Sequence, residues 1–399
     1  MDFNESFYKD PYRIEGNAEV ISCEATKKGY GIVFDDTLFY PEGGGQPADR
    51  GFLRLADGTE ISVRDVRRDK TDRVLHYTDT ALEPGTRVGQ LIDFDYRFSL
   101  MQNHSGEHIV SGLIKKNYGY ENVGFHMSDV ITIDISGELS WEQAMDIEQK
   151  ANAVIWKNIR VDITLPNEAS IKDMDYRSKK ELSGQVRLVG IEDTDLCACC
   201  GLHVSRTGEI GIIKLLSLIN YKGGVRIEMV CGAKALKDYE AKLDSNTEIK
   251  NLLSVKPHEV TDAVKHVLDE SAEKSARIAG LSSRYFDLRV KELEEKDGII
   301  FAREDILDGT ELRKLCEKLK SSGKATVSVC LLPLPGGEPS FRYVIASTKY
   351  DLKSLAPALN KALNGKGGGS KEMIQGSFNA SYDKICEEIR GILLLTAPV

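Results

Sequence analysis

Asp95-Tyr-Arg-Phe-Ser-Leu-Met-Gln-Asn-His104-Ser-Gly-Glu-His108 opens a run, continuing to Lys116, that divides the chain into two kinds of structure. Phe98, Met101, Ile109, Leu113 and Ile114 recur in it at helical spacing, which predicts a helix over 95–116. Side chains four apart share a helix face, so His104 and His108 point the same way. Ser105-Gly106 is its weak point, since glycine costs ~1 kcal/mol in a helix interior. Glu107 falls off the histidine face, whereas in the metallopeptidase pattern a glutamate directly follows the first histidine.

Before this helix the chain reads as β. Short apolar stretches at 18–23, 30–34, 51–55, 61–66 and 74–77 alternate with turn signals such as Asp57-Gly58 and Pro84-Gly85. They predict a small N-terminal β-barrel over 1–95. After it, a helix over 140–159 and strands over 185–191, 210–218 and 225–230 predict an α+β domain over 96–235. From 236 to 296 Lys, Glu, Ala and Leu dominate. Val260, Val264, Val267, Ile278, Leu281, Tyr285 and Leu288 keep a seven-residue register that Ser271 and Lys274 interrupt. This predicts a helical hairpin or coiled-coil linker bent at Val255-Lys-Pro-His258, and a candidate homodimer surface there or on the C-terminal domain. Residues 297–399 alternate helix (311–321, 355–363, 381–395) with strand (325–332, 342–347). They predict an α/β domain with one glycine-rich loop at 364–371. The fold class expected for the whole chain is α+β.

With 399 residues, 41% hydrophobic and 29% charged, the chain has the composition of a soluble globular protein of two or three domains. Its net charge of −9 argues against a protein that coats polyanions, yet leaves room for a local basic patch. Segment 342–371 is one, with Arg342, Lys349, Lys353, Lys361, Lys366 and Lys371 against Asp351 alone. The N-terminus is acidic and lacks a signal-peptide core, and no uncharged apolar run approaches the ~20 residues that span a bilayer. A cytoplasmic location without membrane contact is expected. Of eight cysteines, three crowd into Cys197, Cys199 and Cys200. That fits a reducing compartment and a metal role better than a disulfide framework.

Two runs therefore offer metal ligands: the histidine pair, and Cys197-Ala-Cys-Cys-Gly-Leu-His203. Imidazole nitrogen and thiolate sulfur suit tetrahedral Zn²⁺. Cys197, Cys199 and Cys200 compete for the thiolate position. Four protein ligands would ordinarily make such a site structural, and catalysis would then need a displaced ligand or a metal that holds substrate. A third run, Thr37-Leu-Phe-Tyr-Pro-Glu-Gly-Gly-Gly-Gln46, lets a ligand approach the main chain at Gly43, Gly44 and Gly45, and their amides are candidate oxyanion donors. It lacks the Lys-Ser/Thr ending of a P-loop, which argues against nucleoside triphosphate binding.

Taken in order, these runs resemble one family. Thr37 to Gln46, followed by Asp49-Arg-Gly51, resembles the glycine-rich segment of the editing region of alanyl-tRNA synthetases, and His104-x-x-x-His108 resembles its histidine pair. Cys199-Cys-Gly-Leu-His203 is similar to its second zinc motif, usually Cys-Gly-Gly-Thr-His, with Cys200 and Leu202 as departures. Val204 to Gly211 and Lys222 to Glu228 also match in order and spacing. Gly367-Gly-Gly-Ser-Lys-Glu-Met-Ile-Gln-Gly376 resembles the glycine-rich end of the DHHA1-type C-terminal domain. The aminoacylating domain would precede all of this, so the chain resembles a stand-alone alanyl-tRNA editing protein of the long AlaX type. The resemblance implies hydrolysis of tRNA(Ala) mischarged with serine, and with glycine as a further substrate. It implies zinc on His104, His108, Cys199 and His203, and Thr37 and Gln46 near the aminoacyl group. Contacts from Lys366, Gly367, Gly368, Gly369 and Lys371 would hold the tRNA body. The rivals are a non-catalytic tRNA-binding protein with structural zinc, and another zinc-dependent hydrolase.

Overall fold

Short strands whose residues alternate between buried and exposed, such as Gly51–Arg54 and Glu60–Val63, set the architecture of the first hundred residues. A computed structural model describes residues 3–178, 184–336 and 339–396, and the chain divides into two units, Met1–Ile249 and Lys250–Val399. The division falls inside the helix Gly232–Leu253. The architecture is α+β, as expected.

In the first unit, seven antiparallel strands lie in the order Glu60–Val63, Gly51–Arg54, Arg87–Ile92, Glu15–Thr26, Gly29–Phe34, Val74–Thr78, Asp65–Arg68. The two end strands are joined by Arg64 alone, so the sheet curls back toward its own start around Val20, Ile32, Phe39, Leu53, Val63 and Val66. The strand Arg87–Ile92, absent from the sequence expectation, joins the two halves of the sheet through Glu15–Thr26 and Gly51–Arg54.

The helix expected over 95–116 spans Phe94–Tyr118. Asp93 caps it by accepting from the Tyr96 amide, and Gly119 ends it in the left-handed conformation, φ 74°. It packs with Trp141–Trp156 against a four-stranded sheet ordered Ile213–Tyr221, Gly224–Cys231, Ile131–Ile135, Asn122–Met127. Gly106 admits the strand: a Cβ there would overlap the Cys231 sulfur. The local weakness of the helix is thus what lets the sheet close on it. A small sheet of Val161–Thr164, Leu188–Ile191 and Asp195–Ala198 carries the cysteine run.

In the second unit, Ile299–Arg303 and Val327–Pro333 pair in parallel across the helix Gly309–Ser321, and Phe341–Ser347, Met373–Phe378 and Lys366–Gly369 follow antiparallel. One face packs on Leu352–Ala362 and Tyr382–Leu394, the other on Gly309–Ser321 and the end of Val260–Glu292. The glycine-rich segment expected as a loop is in part an edge strand, because Lys366 to Gly369 pair with Ser377 to Ile374. The predicted linker is two helices, Gly232–Leu253 and Val260–Glu292, separated by a turn at Pro257–Glu259. Val264, Val267, Ile278, Leu281 and Leu288 of its seven-residue register are exposed. No helix among the described residues is long and apolar enough to cross a membrane.

Candidate metal centre

The histidine helix and the loop after Asp195–Ala198 converge. His104, His108, Cys199 and His203 bring one ligand atom each within 4.8 Å of one another. The histidines are buried and Cys199 is half-buried. Nε2 of His104 and Nε2 of His203 each lie 3.4 Å from the Cys199 sulfur. Tetrahedral zinc with ordinary Zn–N and Zn–S bonds separates its ligands by roughly 3.5 Å, so the donor set fits that ion. Cys200 belongs to no such cluster, and Cys197 falls in a second one with His108 and Asp195.

Electrostatics single out the same thiol. Burial works to raise Cys199, but His104, His108 and His203 outweigh it and hold the thiol well below its usual range. Burial pushes Cys197 and Cys200 up instead.

Each histidine is also held from behind. His104 Nδ1 donates to Gln46 Oε1 at 2.9 Å, which leaves Nε2 for the cluster. Ser105 Oγ lies 3.1 Å from His203 Nδ1, and His108 Nδ1 lies 3.1 Å from an Asp195 carboxylate oxygen. Gln46 Oε1 accepts a second bond from the Leu202 amide, so one side chain ties the ligand helix to the ligand loop. Among the described residues its Nε2 has no partner, which leaves a buried, unused donor beside the cluster. Arg187 fixes the loop by donating to the carbonyls of Cys199 and Gly201. Phe125 stacks on His104, ring centroids 5.2 Å apart. Gly45 (φ 82°) must lack a side chain, since a Cβ would overlap that ring. Glu107 accepts from Ser111 Oγ and Asn122 Nδ2 through one carboxylate oxygen, and its other oxygen lies 3.9 Å from His108 Nε2.

The other expected site residues are distributed less simply. The Gly43 amide bonds the Gln46 carbonyl at 3.1 Å and closes the turn, which takes it out of the oxyanion role. Thr37 faces His76: its Oγ1 lies 2.7 Å from His76 Nε2 and accepts from the Phe39 amide. His76 Nδ1 must donate to the Ile32 carbonyl, so Nε2 is the acceptor and Thr37 gives up its proton there. Lys366 and Gly367 to Gly369 lie in the second unit, where Lys366, Arg313 and Arg342 line an open cleft of about 930 Å³. Arg177, Asp195, Ser105 and Arg187 were not anticipated, because each acts on a partner distant in sequence or in irregular chain.

Burial pushes His76 down to about 4 from an ordinary 6.5. The unfolded chain therefore takes up this proton first as pH falls, and stability drops between pH 6.5 and 4, by about 3 kcal/mol at full effect. Urea unfolding at pH 7 and pH 4.5 should show that loss in the wild type and a smaller one in His76→Gln.

Known proteins match the same residues. A family model described as "Threonyl and Alanyl tRNA synthetase second additional domain" matches residues 186–228, and one described as "tRNA synthetases class II (A)" matches residues 12–96. The chain is 28% identical to the alanyl-tRNA editing protein AlaX-L of Pyrococcus horikoshii, over 95% of each chain. It is 30% identical to the alanine–tRNA ligase of Pyrococcus abyssi and 32% identical to that of Caldivirga maquilingensis, over 98% of its own length in both. It spans only 43% and 44% of those two ligases. Among solved structures, the C-Ala domain of Aquifex aeolicus alanyl-tRNA synthetase matches 26% of this chain, and 97% of that domain, at 22% identity with a TM-score of 0.22.

Proposed function

We propose, from a resemblance to the AlaX-type alanyl-tRNA editing proteins that runs the length of the chain, that this protein is an aminoacyl-tRNA deacylase. Its substrate would be tRNA(Ala) mischarged with serine, with glycine as a second amino acid, and its setting the cytoplasm. The observation that carries the reading is the convergence of His104, His108, Cys199 and His203 beside the unpartnered Gln46 Nε2.

The scissile bond is an ester between the amino acid and the terminal ribose. Hydrolysis needs a held carbonyl, stabilisation of the oxyanion and a proton for the leaving hydroxyl. A zinc ion on the four ligands would supply Lewis acidity or an anchor for the amino acid. Gln46 Nε2 offers the carbonyl or the oxyanion a buried donor, and the Gly44 and Gly45 amides are the remaining backbone candidates. Thr37, its proton held by His76, can offer serine's hydroxyl only an acceptor. That oxygen already accepts from the Phe39 amide, and alanine would leave its second lone pair without the bond that serine supplies. Lys366 to Gly369 and Lys371, with Arg313 and Arg342 on the neighbouring cleft, would hold tRNA phosphates in a salt-dependent way. The exposed seven-residue seam of Val260–Glu292 supports a homodimer through the linker.

The test is the rate of amino-acid release from Ser-tRNA(Ala) against Ala-tRNA(Ala). The reading expects serine to be favoured at least about 100-fold, and Thr37→Val to erase most of that preference. Equal rates on both substrates would refute the specificity. Tight binding of charged tRNA without release would instead favour the rival, a tRNA-binding protein whose closed four-ligand zinc is structural.

A further inference from the structure

The three clustered histidines have three different partners behind them. His104 has the neutral amide of Gln46 and His203 the neutral hydroxyl of Ser105. Only His108 faces carboxylates: Asp195 lies 3.1 Å from its Nδ1, behind the ring, and Glu107, already held by Ser111 and Asn122, lies 3.9 Å from its Nε2. The contact is at ion-pair distance but off the line of the N–H, and among the described residues no other partner reaches that buried nitrogen. Side-chain exposures of His108 and Asp195 are 3% and 2%.

A carboxylate buried to that extent persists only when compensated. Arg177 does so with two bonds, Nε to Oδ1 at 2.6 Å and Nη2 to Oδ2 at 2.8 Å. The backbone fixes its place: the Arg177 amide donates to the Leu196 carbonyl at 2.8 Å, and the Ala198 amide donates to the Arg177 carbonyl at 2.9 Å. Arg177 thus rides on the strand that leads into Cys199. The histidine helix is shaped to receive the pair. Gly112 lies one turn beyond His108, and a Cβ there would stand 2.6 Å from the Asp195 Cβ. A side chain at 112 would push the carboxylate away from the ring.

His108, Asp195 and Cys197 also form a ligand set of their own, which could suggest a second metal sharing His108. The Arg177 guanidinium already covers both Asp195 oxygens with a positive charge, where a second cation would have to sit. The arrangement matches an outer support instead. A carboxylate beside the Nδ1–H of a ligating histidine orients the ring and raises the basicity of its other nitrogen.

We infer that Asp195, clamped by Arg177 and admitted by Gly112, is a positioning residue that holds His108 for metal binding and sets the affinity of the four-residue site. The inference rests on the reading of that site as a metal centre. Asp195 and Arg177 touch no substrate in this scheme and act only through His108.

Zinc affinity, measured by competition with a chromophoric chelator on the full chain, tests this, with metal stoichiometry and the Co²⁺ absorption spectrum read alongside. Asp195→Asn should bind zinc 10- to 100-fold more weakly, about the loss typical of an outer partner, while remaining folded by circular dichroism. Should that single variant fold poorly, Asp195→Asn/Arg177→Gln removes both buried charges and should show the same loss. Cys197→Ser should keep the wild-type affinity and one metal per chain. Wild-type affinity in both Asp195 variants overturns the inference and leaves the metal centre standing. A second bound metal that disappears in Cys197→Ser overturns it in favour of two sites. A wild-type chain that binds no metal overturns both this inference and the site on which it rests.

Discussion

Cys199→Ser is expected to strip the protein of its metal, whereas Cys200→Ser leaves metal content at the wild-type level. Three cysteines within four positions compete by residue type, the family resemblance points to Cys199, and the structure sets the three apart. Cys199 alone stands among the three histidines, and only its thiol is held below the usual range by them. Cys200 lies outside the cluster with its thiol pushed up by burial. A serine hydroxyl at 199 does not ionise, so the set loses its one anionic donor. Affinity should fall more than about 100-fold, beyond what loss of an outer partner costs. Because metal binds the folded state, the variant should also unfold at lower temperature whenever zinc is in excess. Bound zinc by atomic absorption after dialysis decides the matter. A Cys200→Ser protein that loses zinc while Cys199→Ser retains it would reverse the assignment.

The second large effect is on stability. Arg97 is among the largest fully buried side chains of the described residues, and it pairs with the buried Asp49. It also donates to the carbonyls of Pro11, Arg13 and Leu38. Since Asp49 in turn accepts from the Tyr40 amide, the pair fastens the first turns of the histidine helix to the segment containing Gly43 to Gln46. Arg97→Met leaves a buried carboxylate uncompensated and several carbonyls without a donor. The cost should be about 3–5 kcal/mol, or roughly 10 °C in melting temperature. Adding Asp49→Asn removes the stranded charge while keeping an acceptor for Tyr40, and should recover part of the loss. Tryptophan fluorescence follows this unit alone, because Trp141 and Trp156 both lie in it. A single variant within 1 kcal/mol of wild type would show that the pair does not fasten the loop.

The helix carrying the histidines was legible because its periodicity and its caps are local. Its expected bounds, 95–116, differ by two residues at most from Phe94–Tyr118. Gly106 reads as a weak point in the helical pattern and Gly112 draws no notice, yet each proves to be where another element comes close, Cys231 and Asp195 respectively. No local pattern announces such contacts. The hairpin of Asn122–Met127 and Ile131–Ile135 went unread, although the second of its strands lies inside the four-stranded sheet. Its strands are short and carry Asn, Gly, His and Asp, and the second is buried by pairing with Gly224–Cys231, 90 to 98 residues further on. Gln46 was anticipated near the aminoacyl group, but its tie between His104 and Leu202 depends on three-dimensional proximity alone. Arg177 could not be found from spacing, since it stands outside the named strands and its partner lies 18 residues on. The glycine-rich segment at 364–371 reads as a loop by composition, yet an edge strand tolerates glycine where a neighbouring backbone supplies the ladder.

In the proposed function, the His104, His108, Cys199 and His203 cluster removes serine from mischarged tRNA. The most direct measurement is single-turnover release of serine from Ser-tRNA(Ala) by the full chain, stripped of metal with a chelator and then reloaded with one equivalent of zinc. Activity should vanish on stripping and return on reloading, and Cys199→Ser should stay inactive under both conditions. Serine release that is unchanged by stripping, or that persists in Cys199→Ser, would contradict it.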